Sequence, residues 1–343
     1  MEKVLRAAMV GVGSMGRGHL DNYLRLMKEG YPIKMVALCD IDEKKFTNYK
    51  ADFNLGDVGA AGYDFSSFNL YTDLEEMLAK EQLDLVTVAL PTYLHCWGTC
   101  LCLEAGVNVI CEKPMATSVE ECDKMIAAAR KADRNLMIGQ CLRFAGHYNK
   151  LKEFVDTGVY GKAYSAFFFR GGGTPLWSYE NWLLRRDKGG GALFDQHVHD
   201  VDCVNYIFGM PEAVTTQAYT VFPESAYDCC STNYIYPHMM PVNCQNDWTM
   251  KGGYFLQTFR VNFENATVFY DDKGLRVYDS DGNMTEPEYD KESFYYTELK
   301  YFADCLLAGE KITRATPESA RETVRIALAE MKSADLHGEL VKP

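Results

Sequence analysis

The chain has 343 residues, enough for two domains of ordinary size. Hydrophobic residues make up 47% and charged residues 24%, the balance of a globular protein that buries real cores. A formal net charge of −13 weighs against nucleic acid and anionic membrane surfaces, both of which need clustered Lys and Arg. No apolar run approaches the roughly 20 residues that cross a bilayer. The opening residues Met1–Arg6 lack the features of a signal peptide, so the cytosol is the expected location. The twelve cysteines contain no Cys-x-x-Cys spacing and read as small core hydrophobes.

The first part alternates strand and helix. Apolar runs at Ala7–Val10, Ile33–Cys39, Leu83–Leu90, Val107–Cys111 and Leu136–Cys141 read as strands. Helical patterns lie between them at Met15–Met27, Leu74–Ala79, Leu94–Ala105 and Ser118–Ala132. Nearly continuous apolar strands alternating with helices predict a parallel sheet covered on both faces. After Phe144 the character changes. Runs at Ala163–Arg170, Ala213–Phe222, Tyr254–Phe263, Ala266–Tyr270 and Leu275–Tyr278 are rich in Phe, Tyr, Val and Thr. Many alternate in polarity, as an antiparallel sheet with one covered face would. A helix interrupts them at about Leu193–Phe208, and a closing helix spans Pro317–Ser333 with Thr316 as N-cap. Pro223–Asp247, without a clear period, reads as a long loop. The expected fold class is α/β: an N-terminal Rossmann parallel sheet over 1–143, then an α+β domain with a mostly antiparallel sheet over 144–343.

Gly11-Val12-Gly13-Ser14-Met15-Gly16 fits G-x-G-x-x-G between a strand and a helix. The first glycine makes a tight turn, the second admits a pyrophosphate, and the third lets helix and strand pack. Phosphates then meet the N–H groups at the helix start. Asp40 ends the second strand, where a carboxylate accepts ribose hydroxyls and repels a 2′-phosphate. Asp42 and Glu43 add to that repulsion, so the expected cofactor is NAD rather than NADP.

Glu112-Lys113-Pro114 follows a strand whose carboxyl end is a ligand position in open α/β sheets. An ammonium there can hold a hydroxyl oxygen and stabilise developing alkoxide charge. Further along, Gly189-Gly190-Gly191 precedes a helix carrying Asp195, His197, His199, Asp200 and Asp202. On an α-helix Asp195, His199 and Asp202 share one face, and Asp195 with His199 forms an acid–base unit. The two histidines are also metal-ligand types, but on a helix they diverge by about 200°, so no metal is expected.

Together these motifs resemble the glucose–fructose oxidoreductase / inositol dehydrogenase / MocA family of NAD(P)-dependent oxidoreductases. The resemblance covers essentially the whole chain and rests on Gly11–Gly16, Pro91 with His95, Glu112-Lys113-Pro114, and the glycine triplet followed by Asp195 and His199. It implies Lys113, Asp195 and His199 as catalytic and substrate-binding residues, with His199 as proton acceptor. It implies cofactor contacts from Gly11, Gly13, Ser14, Met15, Gly16, Asp40, Leu90, Pro91, Thr92, His95, Glu112 and Lys113. It extends less directly to Gln140, Trp182 and Arg186 for cofactor and to Arg143 for substrate. His197 departs from the glycine many members carry there, and Thr92-Tyr93 from a common asparagine.

The implied activity is oxidation or reduction of a secondary hydroxyl of a sugar, glycoside or cyclic polyol, with a homo-oligomer formed through the second sheet. A redox-neutral cleavage or epimerisation through a keto-sugar is a second reading of the same site. A non-catalytic NAD-binding regulator is a third, disfavoured by retention of Lys113, Asp195 and His199.

Overall fold

The computed structural model describes residues 3–48, 62–237, 240–252 and 255–343. Contacts divide the chain into two compact units, Met1–Cys141 with Ser293–Arg321 and Leu142–Glu292 with Glu322–Pro343. The division places 293–321 with the first unit, although it follows the second in sequence.

The first unit runs β1 (Leu5–Val10), α1 (Ser14–Lys28), β2 (Ile33–Cys39), β3 (Asn69–Tyr71), α2 (Leu74–Lys80), β4 (Leu85–Val88), α3 (His95–Glu104), β5 (Asn108–Glu112), α4 (Val119–Ala132) and β6 (Leu136–Gly139). Its six strands are parallel in the order β3-β2-β1-β4-β5-β6. Strands β1, β4 and β6 are buried almost throughout, which is why they read as unbroken apolar runs. The order reverses between β1 and β4, and their carboxyl ends flank the crevice where such sheets bind ligands.

The second unit adds α5 (Gly146–Thr157), β7 (Ala163–Gly171), α6 (Val198–Phe208), β8 (Ala213–Tyr219), β9 (Cys229–Ile235), β10 (Val242–Asp247), β11 (Leu256–Phe263), β12 (Ala266–Asp271), β13 (Gly274–Asp279) and β14 (Met284–Thr285). They form an eight-stranded sheet in the order β14-β13-β12-β11-β7-β10-β9-β8. All neighbours are antiparallel except β10 and β7, which pair in parallel. Finally α7 (Phe294–Ala308) belongs to the first unit, and the division falls inside α8 (Pro317–Asp335).

Three expectations are corrected. Pro223–Asp247 is not a long loop: it holds β9 and β10. Their inward positions are Cys230, Thr232, Tyr234, Val242, Cys244 and Asn246, so alternation is present but built from small or polar side chains. The helices α5 and α7 are additions to the expected elements, although each buries a helical stripe: Tyr148, Leu151 and Phe154 on α5, and Tyr296, Leu299, Ala303 and Leu306 on α7. The expected Leu193–Phe208 helix opens with a π-helical turn over Leu193–His197 before α6 begins. The start of β11 at Tyr254, as expected from sequence, lies outside the described residues.

Within the first unit α7 packs along α1. Arg25 lies over the Tyr296 ring at 4.0 Å, and Tyr296 Oη donates to Glu29 at 2.5 Å. Tyr31 donates to Asp304.

Candidate functional site

The glycine loop is required by contact, not by composition. Gly11 has φ +91°, and a Cβ there would lie 2.4 Å from the Ala89 carbonyl oxygen. A Cβ on Gly16 would lie 1.9 Å from the Gly11 carbonyl oxygen. Gly13 differs: nothing lies within 4 Å of its Cβ position. It is the N-cap of α1, with no side chain capping the helix and no acid in the first turn. Arg17 N–H donates to Gly13 O at 2.9 Å, so the N–H groups of Ser14, Met15 and Gly16 precede the first intrahelical bonds and are directed outward.

Asp40 sits directly after β2. Its Oδ2 accepts Val12 N–H at 2.8 Å and its Oδ1 accepts Asp42 N–H at 3.0 Å. Each oxygen keeps a lone pair for a ribose hydroxyl. Arg17, the nearby cation, is buried and donates to the Lys45 and Thr47 carbonyls at 2.7 and 2.8 Å. Open space at Gly13, an uncapped helix start and an anchored carboxylate together fit a dinucleotide with an unphosphorylated ribose.

The turns after β4 and β5 are joined by His95. Its Nδ1 lies 2.8 Å from Pro114 O and its Nε2 2.8 Å from Leu90 O. Burial outweighs these carbonyls and pulls its pKa below the ordinary histidine value. A neutral ring donates to one carbonyl at a time. The ring is 1% exposed, so His95 shapes the Leu90-Pro91-Thr92 turn from beneath rather than facing a ligand. Glu112 is likewise buried: Oε1 lies 2.5 Å from His19 Nε2, and Oε2 accepts Lys113 N–H at 3.1 Å. Lys113 itself is partly exposed. Gln140, at the end of β6, is buried, and neither amide atom has a hydrogen-bond partner among the described residues.

In the second unit the glycine triplet is a packing device. Cβ atoms would meet Trp182 O at 2.6 Å from Gly189, Phe194 Cβ at 2.6 Å from Gly190, and Tyr227 O at 2.8 Å from Gly191. It opens the π-turn, a feature that often marks functional sites. Beyond it the acids and histidines sort into two sets. Asp195 and His199 are half-buried and reach the surface of this unit. Asp200, Asp202 and His197 are buried and engaged elsewhere. Asp200 holds Arg170 through two hydrogen bonds of 2.8 and 3.1 Å, and Asp202 holds Arg143 through two of 2.8 and 2.7 Å. His197 Nε2 faces Glu330 Oε2 at 3.2 Å.

Asp202 is therefore buried and committed to Arg143 and Thr323 Oγ1, and does not join Asp195 and His199 at partial exposure. Arg143 is 4% exposed with Asp202 on its guanidinium, which corrects its expected place as a substrate contact. Burial disfavours its charge, but Asp202 more than compensates and raises its pKa. Arg186 is exposed and bonded to Asp335 Oδ2 at 2.5 Å. Trp182 packs against Leu183, Leu184, Ala192 and Trp248. Sequence reasoning missed the buried partners Arg170, Glu330, His19 and Glu298. They come from distant elements, and no local spacing signals them.

Two family models match the chain: the oxidoreductase family with an NAD-binding Rossmann fold over residues 5–140, and the GFO/IDH/MocA C-terminal domain over 148–269. The chain belongs to this family, and NAD is the dinucleotide its Rossmann domain binds. Among curated relatives, 2,7-anhydro-N-acetylneuraminate hydratase of Mediterraneibacter gnavus is 31% identical over 208 residues, 60% of this chain and 51% of that protein. D-glucoside 3-dehydrogenase of Escherichia coli is 29% identical over 218 residues, 63% of this chain and 57% of that one. The match thus spans about half the length of these relatives. A levoglucosan dehydrogenase solved with NADH and levoglucosan shares the fold, with TM-score 0.85, 18% identity and 99% of each chain covered. No helix among the described residues is long and apolar enough to cross a membrane.

Proposed function

We propose that this member of the family is an NAD-dependent dehydrogenase acting on a secondary hydroxyl of a sugar, glycoside or cyclic polyol. The observation that carries the reading is the sorting on the π-turn and α6. Every other acid or histidine from 195 to 202 is buried against a structural partner, whereas Asp195 and His199 remain accessible. A helix that buries its surplus charges and keeps one carboxylate and one imidazole at partial exposure is suited to proton transfer.

NAD, held by Gly11–Gly16 and Asp40, supplies a hydride acceptor when bound. His199 accepts the hydroxyl proton on a ring nitrogen as the carbon–oxygen bond becomes a carbonyl. Asp195 orients that ring and stabilises its charged form. The Lys113 ammonium holds the reacting oxygen and offsets its developing negative charge. With NAD bound, oxidation of the alcohol to a ketone would leave one proton on His199 and one hydride with the cofactor, and in reverse His199 would return the proton and Lys113 would hold the carbonyl oxygen.

A second reading keeps the same residues but closes the redox cycle, so that oxidation at one carbon acidifies its neighbour and permits elimination or hydration. The relative named a hydratase favours keeping it. Absorbance at the NADH band across a panel of inositols, aldoses and glycosides separates the two. Net oxidation yields stoichiometric NADH; a closed cycle consumes substrate without it. Lys113→Met and His199→Ala are each expected to lower kcat by a factor of about 10²–10⁴ while NAD binding persists. Near-normal turnover in either variant refutes the assignment.

A further inference from the structure

Three ionisable side chains from three elements meet inside the first unit: His19 on α1, Glu112 at the end of β5 and Glu298 on α7. All are buried, and one ligand-type atom from each lies within 4.8 Å of the others. The contacts are unequal. His19 Nε2 and Glu112 Oε1 are 2.5 Å apart, and Glu112 Oε2 accepts the Lys113 backbone N–H at 3.1 Å. Neither oxygen of Glu298 has a hydrogen-bond partner among the described residues, and its side chain is 0% exposed.

Two occupants could reconcile two buried carboxylates and an imidazole: a cation or protons. The His19–Glu112 distance decides between them. Ligand atoms about 2.1 Å from a tetrahedral metal lie about 3.4 Å from each other, whereas 2.5 Å between nitrogen and oxygen is direct hydrogen-bond contact with no room for a cation between them. Charge leads the same way. One imidazole can offset at most one carboxylate, so an ionised Glu298 beside an ionised Glu112 would add an uncompensated charge in a dry interior.

We propose that Glu298 is a neutral, protonated acid and a positioning residue for Lys113. Its proton removes the repulsion that would push the Glu112 carboxylate away from His19 and from the Lys113 backbone. The carboxylate so held ties the lysine turn to α1, three residues beyond Gly16, and joins cofactor helix to substrate lysine. Burial and the neighbouring Glu112 charge both raise the Glu298 pKa well above 4.5, in keeping with that state. The positioning role rests on the assignment of Lys113 above; the protonation state does not.

The test is Glu298→Gln, the isostere of the protonated acid, in the full chain. Melting without NAD is followed from pH 4 to pH 9. A raised folded pKa makes the wild type lose stability as pH rises above the unfolded value, and the amide removes that loss. The folding constant of the variant relative to wild type is expected to rise by up to about tenfold per pH unit above 4.5, from near parity at pH 4. Turnover, read as NADH with an active member of the panel, is expected to decline at a higher pH in the variant, with the KM for NAD unchanged. Parallel melting profiles, or a variant less stable at every pH, overturn the proposal. So does an increase in wild-type melting temperature with micromolar Zn²⁺ that Glu298→Gln abolishes, which would make the cluster a metal site. If the panel yields no substrate, the melting profiles still decide the protonation state.

Discussion

The contrast between Gly13 and Gly16 separates cofactor binding from folding within one loop. At Gly13 the backbone, φ −74° and ψ −165°, suits alanine, and the added methyl group meets nothing within 4 Å. Loss of a glycine N-cap and the reduced entropy of the unfolded chain oppose each other at about 0.5–1 kcal/mol each. Gly13→Ala should therefore melt within about 3 °C of wild type. The same methyl group occupies the space through which a pyrophosphate reaches the helix start. A charge-assisted hydrogen bond is worth about 1.5–3 kcal/mol, so losing one raises the Kd for NAD by about 10- to 150-fold. At Gly16 the Cβ would stand 1.9 Å from a carbonyl oxygen, and the backbone of the loop must move by more than an ångström. Overpacking of this kind costs about 1–3 kcal/mol or more, so Gly16→Ala should lose several degrees before any ligand is added. Calorimetric melts of the free protein and titration calorimetry with NAD measure both. A Gly13→Ala protein that binds NAD normally, or a Gly16→Ala protein as stable as wild type, refutes the reasoning.

Two further outcomes follow from groups outside the loop. Asp40→Ala removes the acceptor for two backbone N–H groups and for the ribose; NAD affinity should fall at least tenfold and the NADP-to-NAD affinity ratio should rise. Paired titrations with the two cofactors check this, and an unchanged ratio contradicts the role of the carboxylate. His147 stacks on Tyr270 at 3.9 Å, and burial, aided by Arg170, lowers its pKa from 6.5 to about 3. The unfolded chain takes up this proton first, so its contribution is intact above pH 6.5 and is lost as pH falls toward 3, at up to about 1.4 kcal/mol per pH unit. Urea melts of His147→Gln should show a correspondingly shallower acid loss than wild type; parallel curves would rule it out.

What the sequence discloses depends on how local the signal is. The Rossmann half is legible because its strands are buried on both faces and its loop chemistry sits in six consecutive residues. The strands β9 and β10 are not, because Thr232, Cys244 and Asn246 fill inward positions where a reader expects Val or Ile. On the candidate site, i, i+4 spacing singles out Asp195 and His199 as candidates, and both are partly exposed. Setting Asp202 aside takes knowledge of its partner Arg143, which lies 59 residues away. Arg143 shows the converse limit: an arginine near a domain boundary looks available for ligand until its buried partner is seen. Glu298 is invisible for the same reason, since nothing on α7 marks it as the neighbour of a residue on β5.

The placement of 293–321 in the first unit has a consequence for synthesis. The strands and the glycine loop are complete by residue 141, yet the helix that covers α1 begins at Phe294. At ribosomal speeds of about 5–20 residues per second, the intervening stretch takes roughly 8–30 s to emerge. During that interval the nascent nucleotide fold presents the α1 flank around His19 and Tyr23 without its cover, a surface open to chaperones. Residues 142–292 of the second unit must leave the tunnel before the first can close, so premature termination anywhere between the two segments spoils both.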